Sequence, residues 1–225
     1  MAAESKAALK KRALWISDRL IQTYPGARCR LNFSTPFELL VATILAAQCT
    51  DDKVNEVTAK LFRRANTAEA FARMRLATLE AAVRPTGFFR NKARAVRNMS
   101  RMLLDEFNGR VPREMDNLVR LPGVARKTAN VIRAAAFGLP AIITDTHFIR
   151  LSRRMGLTKN EDPAKIEQDV MGLLPQAKWS AFSHAMLFHG RAVCEAKKPK
   201  CDACAVADEC PSAFKFPHFQ KAKGG

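Results

Sequence analysis

"LPGVARKTAN", residues 121–130, is the stretch on which the fold turns. Before it, residues 114–120 have the pattern of a short amphipathic helix; after it, residues 126–137 form an alanine-rich helical run. Pro122 and Gly123 separate the two, and glycine permits the positive φ or close backbone approach that a side chain would forbid. The turn Gly123-Val124-Ala125 leads directly into the second helix, whose first N–H groups lack intrahelical partners and lie at the positive end of the dipole. Such an end suits an anion, a DNA phosphate included, and Arg126 adds charge. An ordinary structural corner is the competing reading, since any Leu-Pro-Gly can make one. Lys127 falls in the first helical turn, where the dipole favours acids. The position, with Arg126 and Arg133, works against the ammonium form. An amine can attack a carbonyl carbon or a sugar C1′, whereas an ammonium is inert. A lone lysine is usually a solvated surface charge, so this one needs support from the rest of the chain.

That support begins with charge. The 225 residues carry 38 Lys+Arg against 21 Asp+Glu, a net charge of +17 that favours a polyanionic partner. The basic residues are interleaved with apolar ones along the whole chain, which separates it from a disordered basic tail. Apolar content of 48% with only 8% aromatic residues fits a helical protein rich in alanine and leucine, of one large or two small domains. The N-terminal "MAAESKAALKKRALW" has no uninterrupted apolar core, and no apolar run reaches membrane-spanning length. A cytoplasmic protein without a membrane partner is expected, its six cysteines reduced or metal-bound.

Helical signals dominate. Residues 9–23 are amphipathic and stop at Tyr24-Pro25-Gly26; Pro36 opens 37–48, apolar nearly all round and predicted to be buried. Thr50 or Asp51 can cap 52–64, and Thr67 and Thr78 mark two further helix starts. Runs at 91–107, 146–155, 163–174 and 178–193 bring the expectation to an all-α chain of roughly ten helices. Asp162-Pro163 is a cap followed by proline at the first helical position. "VRPTGFFRNKARAV" (83–96) and "VRLPGVARKTANVI" (119–132) share the plan helix, glycine turn, helix.

Near the C-terminus Cys194, Cys201, Cys204 and Cys210 are spaced C-x6-C-x2-C-x5-C, which reads as a metal site. Zinc and an iron–sulfur cluster both accept four cysteines, and spacing does not separate them. The enclosed loop "EAKKPK" (195–200) presents Lys197, Lys198 and Lys200 as candidate phosphate contacts. Cys29 and Cys49 lie outside the pattern, as free core thiols. His184 and His189, five apart, are wrongly spaced for a metal pair on one helix face.

"LPGVARKTANVI", then "TDTHFIRLSRRMGL" (144–157), then the cysteines, resembles the endonuclease III family of helix-hairpin-helix DNA glycosylases with abasic-site lyase activity. The likeness runs from "TPFELLVATILAAQCTDDKVN" (35–55) to Cys210. The resemblance implies that Lys127 is the nucleophile and Asp145 the assisting carboxylate, although Asp145 also reads as the N-cap of 146–155. It implies that Gln48 fills the space left by an extruded nucleotide and that Phe88 wedges into the stack opposite, where a phenylalanine beside Phe89 would otherwise be core. It assigns the hairpin residues Gly123, Val124, Ala125 and Arg126 to DNA binding, and a [4Fe–4S] cluster to the four cysteines. The implied fold is two helical lobes, a six-helix lobe with the hairpin at 29–139 and a cluster lobe of 1–28 plus 140–225, with a DNA-binding groove between them. The implied partner is double-stranded DNA with a damaged base or an abasic site, bound by a monomer associated with the nucleoid.

Three positions depart from the family pattern. Ala125 stands where the hairpin usually has a second glycine, Ala46 where a small polar residue is expected, and Val119 where a glutamate lies near the base pocket. The last two bear on lesion preference and glycosylase rate more than on lyase chemistry. Two other readings stay open: a monofunctional mismatch-type glycosylase, against which Lys127 argues, and a non-catalytic helix-hairpin-helix DNA-binding protein.

Overall fold

The structure, a computed structural model, describes residues 4–220 and contains helices and turns with no strand among them. The chain divides into two compact units, one of Met1–Arg28 with Pro140–Gly225 and one of Cys29–Leu139. None of the described helices is long and apolar enough to cross a membrane.

α1 (Lys6–Thr23) opens the first unit, capped by the Ser5 side chain three residues earlier than the apolar pattern suggested. Ala13, Ile16 and Leu20 are its fully buried stripe. The Cys29–Leu139 unit then holds α2 (Pro36–Leu45), α3 (Asp51–Phe62), α4 (Ala68–Arg73), α5 (Leu76–Val83), α6 (Phe89–Phe107), α7 (Met115–Arg120) and α8 (Arg126–Phe137). That makes seven α-helices in this unit, where the resemblance implied six: Met74 and Arg75, both extended, separate α4 from α5. α5 therefore starts ahead of Thr78, so that Leu79 and Val83 reach the core.

α2 is the centre of this unit. Leu39, Leu40, Val41, Ala42 and Leu45 are fully buried, as the all-round apolar sequence requires, and each fully buried leucine or valine stabilises by about 1.5–3 kcal/mol. Thr35 accepts from Glu38 N, and the Glu38 carboxylate in turn accepts from Ser34 N at 2.6 Å, a reciprocal cap that starts the helix one residue before Phe37. α2 packs on α8, α6 and α3, and α4 and α5 cover α6.

The first unit resumes with α9 (Thr146–Arg154), α10 (Pro163–Leu173), α11 (Trp179–Ala192) and the short α12 (Pro217–Gln220). α11 is the element on which α1 and α9 pack, with Phe148 and Phe182 edge to face at 5.9 Å. Arg12 joins the distant ends of the sequence: its guanidinium donates to the carbonyls of Met155 at 2.6 Å, Glu209 at 3.2 Å and Gly156 at 3.3 Å, and pairs with Glu4. These bonds make the N-terminal helix part of a unit otherwise built from the last third of the chain.

Candidate functional site

The hairpin is built by the residues that the sequence suggested. α7 ends at Arg120, and its C-cap Leu121 is extended and buried; Gly123 adopts φ +82°, and Val124 N donates to Leu121 O at 3.0 Å to close the turn. A Cβ on Gly123 would stand 3.0 Å from Ala95 Cβ, so both the backbone and the packing demand glycine. Ala125 is extended at φ −87°, an N-cap conformation that alanine adopts without strain. No side chain caps α8, in contrast to α1, α2, α3, α4, α9 and α10. Lys127 and Arg126 occupy the exposed first turn of that helix. Val124 serves the hairpin from inside, its side chain in the core and its amide in the turn. Arg133 donates to the carbonyl of Arg113.

Asp145 belongs to the other unit, half-buried at the start of α9. Its Oδ1 accepts from Phe148 N at 2.7 Å, so the capping role is real and orients the carboxylate. His147 Nδ1 lies 3.1 Å from Arg150 Nη2, and burial lowers the pKa of this imidazole.

Gln48, Phe88 and Gly123 border one pocket, together with Ile44, Lys92 and Ala95. α2 stops at Leu45, so Gln48 is not helical; it is exposed, at φ +52°. Phe88 caps α6 at φ +48° and is 64% exposed, while its neighbour Phe89 is partly buried under Arg84 and Arg90. Left-handed backbone at a non-glycine residue costs about 1–3 kcal/mol, and such strain gathers at working sites. Ala46 is the half-buried C-cap of α2, and Val119 is exposed on α7.

The four cysteines of the C-terminal motif line a single pocket, with Arg154, His189 and Phe216 among its walls. Arg154 shapes the ligand loop, donating to Cys194 Sγ at 3.4 Å and to the carbonyls of Glu195 and Ala196 at 2.7 Å. Lys200 pairs with Glu195 at 2.7 Å, while Lys197 and Lys198 are exposed. His189 stands between the Tyr24 hydroxyl, 3.0 Å from Nδ1, and Cys204 Sγ, 3.4 Å from Nε2. Burial pushes this imidazole down to about 4, so the ring is neutral, with one nitrogen donating and the other accepting. Burial pushes the Cys204 thiol up to about 11 and also raises Cys210. Among the described residues no group of three or more His, Cys, Asp or Glu side chains is arranged to hold a metal ion.

Sequence reasoning missed three residues. Lys92 is buried beside Gln48 and Phe88, although its place in the apolar stripe Lys92, Ala93, Val96, Met99 was a usable signal. His189 and Arg154 depend on long-range packing, for which the sequence holds no local sign.

Residues 41–176 match the HhH-GPD superfamily base excision DNA repair protein family. The endonuclease III of Synechocystis sp. is 52% identical over 208 residues, covering 92% of this chain and 95% of that protein. The Bacillus subtilis endonuclease III is 41% identical, covering 86% and 89%. A solved structure of a trapped endonuclease III–DNA covalent intermediate superposes with a TM-score of 0.87 at 41% identity, covering 92% and 97% of the two chains. The chain belongs to the HhH-GPD superfamily and, within it, to the endonuclease III family.

Proposed function

We propose that this chain is a bifunctional DNA glycosylase and abasic-site lyase that removes oxidised pyrimidines from double-stranded DNA, acting as a monomer on the nucleoid. The observation that carries the reading is the placement of Lys127 in the exposed first turn of α8, a helix that no side chain caps and that a glycine at φ +82° aims.

In this reading Lys127 Nζ attacks C1′ of an extruded nucleotide. The glycosidic bond breaks, its electron pair leaves with the base, and the base takes up a proton. Opening of the sugar gives a Schiff base between Lys127 and C1′. Loss of a C2′ proton then expels the 3′ phosphate by β-elimination, and water hydrolyses the imine to return the amine. Asp145 stabilises the cationic sugar and handles protons, its orientation set by the cap to Phe148 N. Gln48 fills the vacated space and Phe88 plugs the stack, two roles supported by their exposure on strained turns at one pocket. Gly123, Val124, Ala125 and Arg126 form the phosphate-binding hairpin, and Lys197, Lys198 and Lys200 contact a second stretch of backbone.

Cys194, Cys201, Cys204 and Cys210 hold a [4Fe–4S] cluster, which supplies a structural cross-link for the C-terminal segment. The four cysteines lining one pocket and the membership of the endonuclease III family support this choice.

Borohydride reduction during incubation with abasic duplex DNA tests the reading. Wild type forms a stable cross-link and Lys127→Gln forms none. Wild type that binds DNA and releases bases without cross-linking would establish the monofunctional alternative; binding with neither reaction would establish the non-catalytic one.

A further inference from the structure

Lys92 is 5% exposed, and its recorded partners among the described residues are backbone carbonyls, with no carboxylate paired to it there. Its ammonium donates to the carbonyl of Leu45 at 2.8 Å and to that of Thr86 at 2.7 Å. Leu45 is the last residue of α2, three before Gln48; Thr86 closes the short 3-10 turn Arg84–Thr86, two before Phe88. One side chain therefore links the two turns that carry the left-handed residues, and it lines the pocket that both border. Burying an ammonium costs free energy unless its hydrogen bonds are satisfied, and an apolar residue would fill a helix stripe at lower cost. Left-handed non-glycine residues persist only where their surroundings over-determine them. The Leu45 carbonyl is also the group that a further turn of α2 would use, so the bond from Lys92 helps to end that helix and release Gln48 into its turn.

We propose that Lys92 is a positioning residue that fixes the turns of Gln48 and Phe88 at one separation, so that the pair enters a duplex as a preformed unit. The inference rests on the reading of Gln48 and Phe88 as duplex-entering residues. Lys92 itself touches no reacting atom. Its effect falls on duplex substrates, where a nucleotide must be extruded, more than on single-stranded abasic DNA, where there is no stack to open.

The test compares the single-turnover rate of base excision from a lesion-bearing duplex with the rate of borohydride trapping on a single-stranded abasic oligonucleotide. Lys92→Met, similar in length but without donors, is expected to lower the duplex-to-single-strand ratio about tenfold or more, the order of loss that a misplacement of 1 Å or less produces. In a Gln48→Ala/Phe88→Ala background the same replacement should change the ratio no further. A folded Lys92→Met with the wild-type ratio, or an equal loss in both backgrounds, overturns the proposal. Should Lys92→Met fail to fold, Lys92→Gln retains one donor group and should give an intermediate ratio; a wild-type ratio there is equally contradictory. A wild-type ratio in Gln48→Ala/Phe88→Ala would instead remove the duplex-entering reading, and this role with it. A lowered ratio in that double variant beside an unchanged one in Lys92→Met removes the Lys92 role alone.

Discussion

Gly123 lies against Ala95 so closely that a Cβ on the glycine would stand 3.0 Å from the alanine methyl. The contact, with φ +82°, leaves no room for another residue at the turn that aims α8. Gly123→Ala should therefore lose about 1–2 kcal/mol from backbone strain alone, read by urea denaturation, and should weaken binding to abasic duplex. Ala125→Gly, two residues on at φ −87°, should leave stability within a few tenths of a kcal/mol, because glycine and alanine both fit an extended N-cap. Equal losses at the two positions would show that the hairpin is not pinned at Gly123.

Asp145 combines a structural and a chemical task, and two substitutions separate them. Asp145→Asn keeps an oxygen for Phe148 N and should melt close to wild type while base excision collapses. Asp145→Ala loses the cap as well, at about 1 kcal/mol. If Asn at this position preserved wild-type excision, the carboxylate charge would have no part in the reaction.

Replacing Cys204 by serine should abolish broad visible iron–sulfur absorption and lower Tm, because the pocket that its sulfur lines then lacks one ligand. Metal analysis of wild type should find iron; zinc with no iron would contradict the assignment.

Acid should destabilise the fold before its carboxylates titrate. Burial lowers the pKa of His184 and His147 below 6.5. The unfolded chain then binds more protons below that value, so this stability is complete above pH 6.5 and is lost as pH falls from 6.5 through the folded-state pKa values. Urea midpoints at about pH 7.5 and about pH 5.5 should differ in that sense, and less so in His184→Gln. A midpoint that rises on acidification would contradict the burial of these rings.

Affinity for DNA should fall with added salt, at a slope of log K against log salt of about −0.9 for each phosphate neutralised. A flat dependence would exclude the exposed cations of the hairpin and the cysteine loop as backbone contacts.

Helix starts were the most legible part of the fold. Thr50, Thr67, Asp145 and Asp162 all cap as their residue types suggest, because the cap is a local interaction spanning three residues. The end of α2 was not legible: the apolar run continues to Gln48, but Lys92, distant in sequence, takes the Leu45 carbonyl and the helix stops. Lys127, Asp145 and the four cysteines stand out in the sequence through their pattern. Their supports, His189 behind Cys204 and Arg154 under the cysteine loop, arise only when distant segments meet.

The central claim concerns one nitrogen, and the most direct measurement locates it. Wild-type protein trapped with borohydride on abasic duplex is digested, and the DNA-modified peptide is mapped by mass spectrometry. The account predicts a single adduct on Lys127 Nζ. An adduct on Lys92, on the α-amino group or on any other amine, with Lys127 unmodified, would contradict it.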